Sequence, residues 1–130
     1  TAVSMPGVRG GPATMTLSQV LELVQATLVT PGADTQVQVS AVCAADLMSD
    51  ALAFASPGSV LLTGLCNPQA VRTAAMADLA AIIFARGKLP TPETVALATE
   101  MNIPLATARY STFEMWGRLY QAGLRPASME

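Results

Sequence analysis

Three short segments of the chain combine glycine, hydroxyl and amide residues with basic side chains, a combination that can bind anions. Each segment follows an apolar run of the kind that forms a buried strand. Phosphate is bound by hydrogen-bond donors such as guanidinium, ammonium and hydroxyl groups and the free N–H groups at helix starts. The segments therefore predict an anion or nucleotide-phosphate pocket at the strand ends. The first contains Thr63, Gly64 and Asn67, the second Arg86, Gly87 and Lys88, and the third Thr107, Arg109, Ser111 and Thr112.

The same residues also fit a purely structural role. Asn67, Thr91 and Ser111 are suited to accept hydrogen bonds from the free N–H groups at helix starts, and every α/β domain has cap and turn residues at such positions. Neither a GxxxxGK[ST] nor a GxGxxG phosphate-binding pattern occurs in the chain. On the residues alone, the structural interpretation is favoured over the ligand site.

Two further groups of residues could carry chemistry. Asp46, Ser49 and Asp50 could act in acid–base chemistry or hold a magnesium ion, but capping of the following helix is the favoured interpretation. Cys43 and Cys66 could form a redox pair or bind a metal as thiolates. Neither lies in a CxxC motif or beside a histidine or lysine in the sequence, so core packing is favoured. We therefore predict no catalytic residue, no metal site and no cofactor.

The composition excludes several classes of protein. The 130 residues are 52% hydrophobic and 12% charged, with a formal net charge of −2. Disordered chains have low hydrophobicity and high charge, so this chain is expected to fold. Seven basic residues against nine acidic ones leave no positive surplus for nucleic acid. The absence of histidine from the sequence excludes Ser-His and Cys-His nucleophile pairs and histidine-ligated zinc.

The same composition favours association with a partner. The charged fraction of 12% is about half of the ~25% that is usual for a globular protein. We therefore expect part of the surface to be covered, either in a homodimer or in a larger enzyme complex. Phe113, Trp116 and Tyr120 lie close together on the last predicted helix and are candidate interface residues, because large aromatic side chains often anchor interfaces. Packing of these aromatics on the sheet is the alternative.

The apolar pattern predicts a single α/β domain of three layers, with a mainly parallel central sheet and helices on both faces. Strands are expected at Thr27–Thr30, Val37–Cys43, Val60–Thr63, Leu79–Ala85 and Pro104–Thr107, and most alternate with helices. We expect residues 1–15 to be a flexible leader, residues 16–125 the domain and residues 126–130 a tail. The apolar run Leu79–Ala85 is too short to span a membrane, and the chain shows no signal peptide pattern, so a cytoplasmic location is expected.

The region from Asp46 onward resembles the DRTGG domain family. These small α/β modules occur beside CBS domains in some pyrophosphatases and at the N-terminus of some phosphotransacetylases. The small stand-alone members, often labelled HPr-kinase-like and found near iron-only hydrogenase genes, are the most similar. One element departs from the family, because the namesake Asp-Arg-x-x-Gly-Gly motif falls near Gln36–Val42, which reads QVQVSAV here. The matching segments are Asp46–Asp50, Leu61–Thr63, Asp78–Gly87, Ile103–Leu105 and Tyr110–Glu114.

The resemblance implies a regulatory or assembly module, often dimeric, without established catalytic residues. The main expectation is therefore a non-catalytic module that self-associates or docks on a larger enzyme complex, with a hydrogenase-type redox enzyme as one such partner. The alternative is a sensor that binds a nucleotide or another phosphate ligand at the carboxyl ends of the parallel strands. Catalysis is not expected.

Overall fold

The structure, a computed structural model, describes residues 14–127, which form seven strands and five helices. The predicted leader lies mostly outside the described residues, as do residues 128–130 of the predicted tail. In chain order the elements are β1 (Met15–Thr16), α1 (Leu17–Leu23), β2 (Thr27–Leu28), β3 (Gln38–Val39), β4 (Ala41–Ala44), α2 (Met48–Phe54), β5 (Ser59–Thr63), α3 (Pro68–Met76), β6 (Ala81–Phe84), α4 (Pro92–Glu100), β7 (Leu105–Thr107) and α5 (Thr112–Gln121).

The central sheet has five strands in the order β2-β7-β6-β5-β4. Strands β4 to β7 are parallel to their neighbours, and the short edge strand β2 pairs antiparallel with β7. Each of the parallel strands β4, β5 and β6 is joined to the next by one helix. The predicted mainly parallel α/β sheet is thus confirmed.

Helices cover both faces of this sheet, as predicted. One face packs on α1 and α5 through buried residues such as Val60, Ile83 and Leu119. The other face packs on α2, α3 and α4, with Leu61 and Phe84 in its core. Neighbouring strand residues point to opposite faces, so a fully buried strand such as β5 contributes to both cores. The three layers account for the continuous apolar runs of the sequence.

One predicted strand is split in two. Val37–Cys43 was expected to form one half-buried strand, but β3 pairs with β1 in a separate two-stranded sheet and only β4 joins the central sheet. Ser40 separates them, and its N–H donates to the carbonyl of Gly58 at 2.9 Å. Gly58 has φ +84°, and an added Cβ would lie 2.8 Å from the Ser40 Oγ. The break therefore depends on a close backbone approach that hydrophobic periodicity does not indicate.

Both ends of the described chain are held by hydrogen-bonded pairing. Met15, which falls in the predicted leader, pairs with Val39. At the other end, the Val42 N–H donates to the carbonyl of Arg125 at 3.0 Å, and the Ala127 N–H donates to the carbonyl of Val42 at 2.9 Å. This second pairing covers the outer edge of β4. No helix within residues 14–127 is long and apolar enough to cross a membrane.

Candidate functional site

The three predicted anion-binding segments lie at one edge of the central sheet. Because β4, β5, β6 and β7 are parallel, the loops that follow them project from the same end. These are the loops at residues 45–47, 64–67, 85–91 and 108–111. We call this end the carboxyl edge.

Asp46 joins the first two loops of the carboxyl edge. Its Oδ1 accepts hydrogen bonds from the Gly64 N–H at 2.9 Å and from the Thr63 hydroxyl at 3.1 Å. The prediction that Asp46 caps the next helix is wrong, because Leu47 is the N-cap residue of α2 and makes no side-chain cap bond. The partners of Asp46 are 17 and 18 residues away in sequence, so no local motif reveals them.

Lys88 links the third loop to the second. Its ammonium donates to the carbonyl of Gly64 at 3.4 Å, and its own carbonyl accepts from the Thr107 hydroxyl at 2.6 Å. A Cβ on Gly64 would lie 3.4 Å from the Lys88 Nζ and 3.7 Å from the Asp46 Oδ1. Lys88 and Asp46 therefore both approach Gly64, and the missing side chain at this glycine leaves them room.

Two arginines complete the basic character of the carboxyl edge. Arg86 has a left-handed backbone, with φ +59°, and its N–H donates to the carbonyl of Tyr110 at 2.9 Å. The next residue, Gly87, donates to the carbonyl of Ala108 at 2.7 Å, so the third and fourth loops are held together. The side chains of Arg86 and Arg109 are exposed, and within residues 14–127 neither forms an ion pair.

The basic residues are unevenly distributed in the described part of the chain. Of its six lysines and arginines, three lie in loops of the carboxyl edge. Two of the others stack on tyrosine rings, Arg118 on Tyr110 and Arg125 on Tyr120. Arg72, on α3, is exposed as well, so the carboxyl edge holds three of the four basic residues of residues 14–127 that do not stack on a tyrosine ring.

Several predicted site residues already have structural partners. The Asn67 side chain accepts from the Gln69 N–H at 3.1 Å, and the Ser111 hydroxyl accepts from the Glu114 N–H at 3.1 Å. Thr63 also accepts from the Leu65 N–H at 3.1 Å. These residues shape the loops, and Thr112 is the first residue of α5. The capping interpretation is correct for Asn67 and Ser111, and also for Thr91, whose hydroxyl accepts from the Thr94 N–H at 3.2 Å.

The two cysteines are free thiols. Burial raises the pKa of Cys43, and Asp50 raises it further. Burial also raises the pKa of Cys66, although the nearby Lys88 ammonium opposes this shift. Thiols with raised pKa values stay protonated near neutral pH and are weak nucleophiles, which fits a packing role. Asp50 lies in the first turn of α2, and among residues 14–127 no three histidine, cysteine or acidic side chains are grouped to hold a metal ion.

The predicted aromatic interface residues lie on one exposed face of α5. Phe113 is 87% exposed and Tyr120 is 51% exposed, while Trp116 is half-buried. The Trp116 and Tyr120 rings meet edge to face with their centres 5.5 Å apart. Together with Pro126, these three aromatics line an apolar groove, which we call the aromatic groove.

A cavity of about 560 Å³ lies at the opposite end of the sheet, where the sequence predicts no site. It is bordered by the loop after β2 and by the segments that lead into β5, β6 and β7. Its wall combines residues from five parts of the chain, so no single stretch of sequence marks it. We call it the amino-edge cavity.

Comparison with known proteins gives a match to a family and matches to solved structures. The DRTGG domain model matches residues 13–122. A similar fold occurs in the crystal structure of the CBS and DRTGG domains of the regulatory region of Clostridium perfringens pyrophosphatase, complexed with the activator diadenosine tetraphosphate. The TM-score is 0.63 at 16% identity, and the match covers 85% of this chain and 48% of that one.

The match to solved structures and the match to the family support different conclusions. At 16% identity the structural likeness shows the fold alone, and this chain spans about half of that regulatory region. No curated protein matches. The family model, by contrast, matches more than half of the chain, including every element from β1 to α5. On this basis the chain belongs to the DRTGG domain family.

Proposed function

We propose that this chain is a non-catalytic regulatory module that binds a nucleotide or another phosphate ligand at the carboxyl edge. The observation that carries the proposal is the grouping of Arg86, Lys88 and Arg109 on loops that follow neighbouring parallel strands, with no ion pair among residues 14–127 to neutralise them. Ligands of open α/β sheets bind outside the carboxyl ends of the strands. The related regulatory region in complex with a nucleotide activator supports the same class of ligand.

The arrangement suits recognition of an anion. Lys88 is held over the loop after β5 by the carbonyl of Gly64, so its ammonium is partly positioned before any ligand arrives. The amides at the start of α5 add to the positive potential of this edge. Asp46 lowers the positive charge but uses its carboxylate to fix the loop. We infer that the arginines supply attraction for the ligand and that Lys88 supplies a positioned contact.

Thermal unfolding in the presence of nucleotides tests this proposal. A ligand present at 100 times its dissociation constant adds about 2.7 kcal/mol to the free energy of unfolding. For a domain of this size, that corresponds to roughly a 10 °C rise in Tm. ATP, diadenosine tetraphosphate and pyrophosphate serve as probes, and adenosine serves as the control without phosphate.

Charge-removing variants locate the binding. R86Q, K88M and R109Q are each expected to weaken phosphate binding about fivefold to tenfold, roughly 1–1.4 kcal/mol. The matched control is R72Q, because Arg72 is an exposed arginine on α3, outside the carboxyl-edge loops. The proposal is wrong if no phosphate compound shifts Tm, or if R72Q weakens binding as much as K88M does.

Self-association is a second candidate function, favoured by the aromatic groove. Phe113 is 87% exposed although it is large and apolar, and Tyr120 is 51% exposed. Exposed aromatic groups of this kind often mark interaction surfaces. We propose that this groove contacts a second copy or a larger enzyme, of which a hydrogenase-type redox enzyme in the cytoplasm is one example.

Light scattering after size-exclusion chromatography tests the second candidate. The chain is expected to elute as a dimer at micromolar concentration, and F113S is expected to shift it toward monomer. L89S is the matched control, because Leu89 is 66% exposed, lies in the loop after β6 and does not line the groove. A monomeric native chain that captures no partner in a pull-down would remove this candidate.

A further inference from the structure

The amino-edge cavity has the size and the walls of a small-molecule site. Its volume of about 560 Å³ falls within the range of roughly 300–1,000 Å³ that is usual for ligand pockets. The wall is mixed in polarity, and its apolar part includes buried Leu79, Ala98 and Ile103. A wall that combines apolar and polar groups can hold a ligand that has a hydrophobic body and a polar head.

The charged side chains of the cavity wall are all acidic. Asp34 and Asp78 line it, and no lysine or arginine among the described residues does. Both carboxylates are exposed and lie in loops, Asp34 after β2 and Asp78 after α3. A phosphate ligand would be repelled here, whereas a cation would be attracted. The charge of this cavity is thus opposite to that of the carboxyl edge.

Two helix ends add to the negative potential. Helices α3 and α4 both end beside the cavity, since Asp78 and Asn102 follow their C-caps, Ala77 and Met101. The C-terminus of a helix carries a partial negative charge, which lysine or arginine in the last turn often balances. Neither of these helices has a basic residue in its last turn. The helix ends and the carboxylates therefore favour a cation independently.

The cavity wall also offers hydrogen-bonding groups on a fixed frame. Among residues 14–127, the side chains of Gln38, Asp78 and Asn102 have no hydrogen-bonded protein partner. Asp78 and Asn102 have left-handed backbones, with φ +57° and +59°. Their neighbours Leu79 and Ile103 donate backbone hydrogen bonds to Ala74 and Ala98 at 2.9 Å, which fixes both loops.

We propose that the amino-edge cavity binds a small organic cation, an amine or guanidine with an apolar body. The cationic head lies between Asp34, Asp78 and the ends of α3 and α4, and the apolar body lies against Leu79 and Ile103. This site is separate from the carboxyl edge, which takes anions. A module with both sites can respond to two ligands of opposite charge.

A set of three compounds of nearly the same shape tests the proposal on the full chain. Tryptamine is cationic, tryptophol is neutral and indole-3-acetate is anionic at pH 7, and agmatine serves as a second cation with an aliphatic body. In NMR titrations, tryptamine or agmatine is expected to shift the amide signals of residues 78–80 and 98–103. Tryptophol is expected to bind at least tenfold more weakly, and indole-3-acetate more weakly still.

Two neutral variants and one control separate specific binding from general attraction. D34N and D78N are each expected to weaken binding of tryptamine threefold to tenfold. Both are expected to fold. In D34N the new amide oxygen can accept the bond that the Asp34 Oδ1 accepts from the Gln36 N–H at 2.9 Å, and asparagine tolerates the left-handed backbone of position 78.

D50N is the control, since Asp50 is an exposed carboxylate on α2. The proposal is overturned if neither cation binds at millimolar concentration, if tryptophol binds as well as tryptamine, or if D50N has the effect of D78N.

Discussion

Replacement of Asp46 by alanine is expected to destabilise the protein through loss of a link between two loops. The Asp46 Oδ1 accepts from the Gly64 N–H at 2.9 Å and from the Thr63 hydroxyl at 3.1 Å, and Thr63 is fully buried. A hydrogen bond to a charged group contributes about 1.5–3 kcal/mol when it is well shielded from water. Asp46 itself is exposed, so water can replace part of the loss at Gly64. We therefore expect D46A to lower the free energy of unfolding by about 1–3 kcal/mol.

Urea denaturation followed by circular dichroism measures this effect as a shift of the midpoint at constant slope. The control is D50A, because Asp50 lies exposed in the first turn of α2 and accepts no side-chain hydrogen bond within residues 14–127. D50A is expected to change stability by no more than ~0.5 kcal/mol. Asp46→Asn keeps one acceptor oxygen without the charge, and is expected to fall between the two.

A double-mutant cycle with T63V shows whether the two side chains act together. The Thr63 hydroxyl donates to Asp46 and accepts from the Leu65 N–H at 3.1 Å, so T63V removes both contacts. Contacting residues usually show coupling energies of about 0.5–3 kcal/mol. If D46A is as stable as D50A, or if D46A and T63V are additive, the proposed link between the loops does not exist.

Two further predictions concern the thiols and the glycines. Cys66 should react slowly with iodoacetamide at pH 7, because burial raises the pKa of its thiol. K88M should slow the reaction further, since the Lys88 ammonium opposes that shift. An unchanged or faster rate in K88M would contradict the effect of Lys88 on this thiol. G58A should lower the free energy of unfolding by about 1–2 kcal/mol or more, because an alanine at φ +84° is strained and its Cβ would lie 2.8 Å from the Ser40 Oγ. G117A is the matched control and should raise stability by about 0.5–1 kcal/mol, since Gly117 lies within α5 and an added Cβ meets nothing within 4 Å; equal effects of the two changes in urea denaturation would refute this account.

The fold could be predicted from the sequence where the signal is local. The apolar run around Ile82 and Ile83 marks a strand buried on both faces, and the Thr16–Gln19 capping box marks a helix start; both are found in the structure. The split of the strand at Ser40 could not be predicted, because it depends on contact with Gly58, 18 residues further along the chain. Local patterns indicate elements, but not where distant backbones meet.

The candidate sites show the same distinction. The sequence predicts that Arg86, Lys88 and Arg109 lie at one edge of the sheet, because loops that follow parallel strands leave the sheet at the same edge. The bond from Lys88 to the Gly64 carbonyl and the role of Asp46 depend on how the loops fold back. The amino-edge cavity is formed by residues that share no sequence motif, so only the assembled structure reveals it.

The most direct test of the central claim is an NMR titration of the labelled chain with ATP. If the carboxyl edge binds phosphate, the amide signals of Gly64, Arg86 to Lys88 and Arg109 to Thr112 will shift together and saturate, and K88M will weaken the titration about fivefold to tenfold. Shifts confined to the opposite edge of the sheet, or equal titrations of K88M and the native chain, would contradict the assignment of this edge as the anion site.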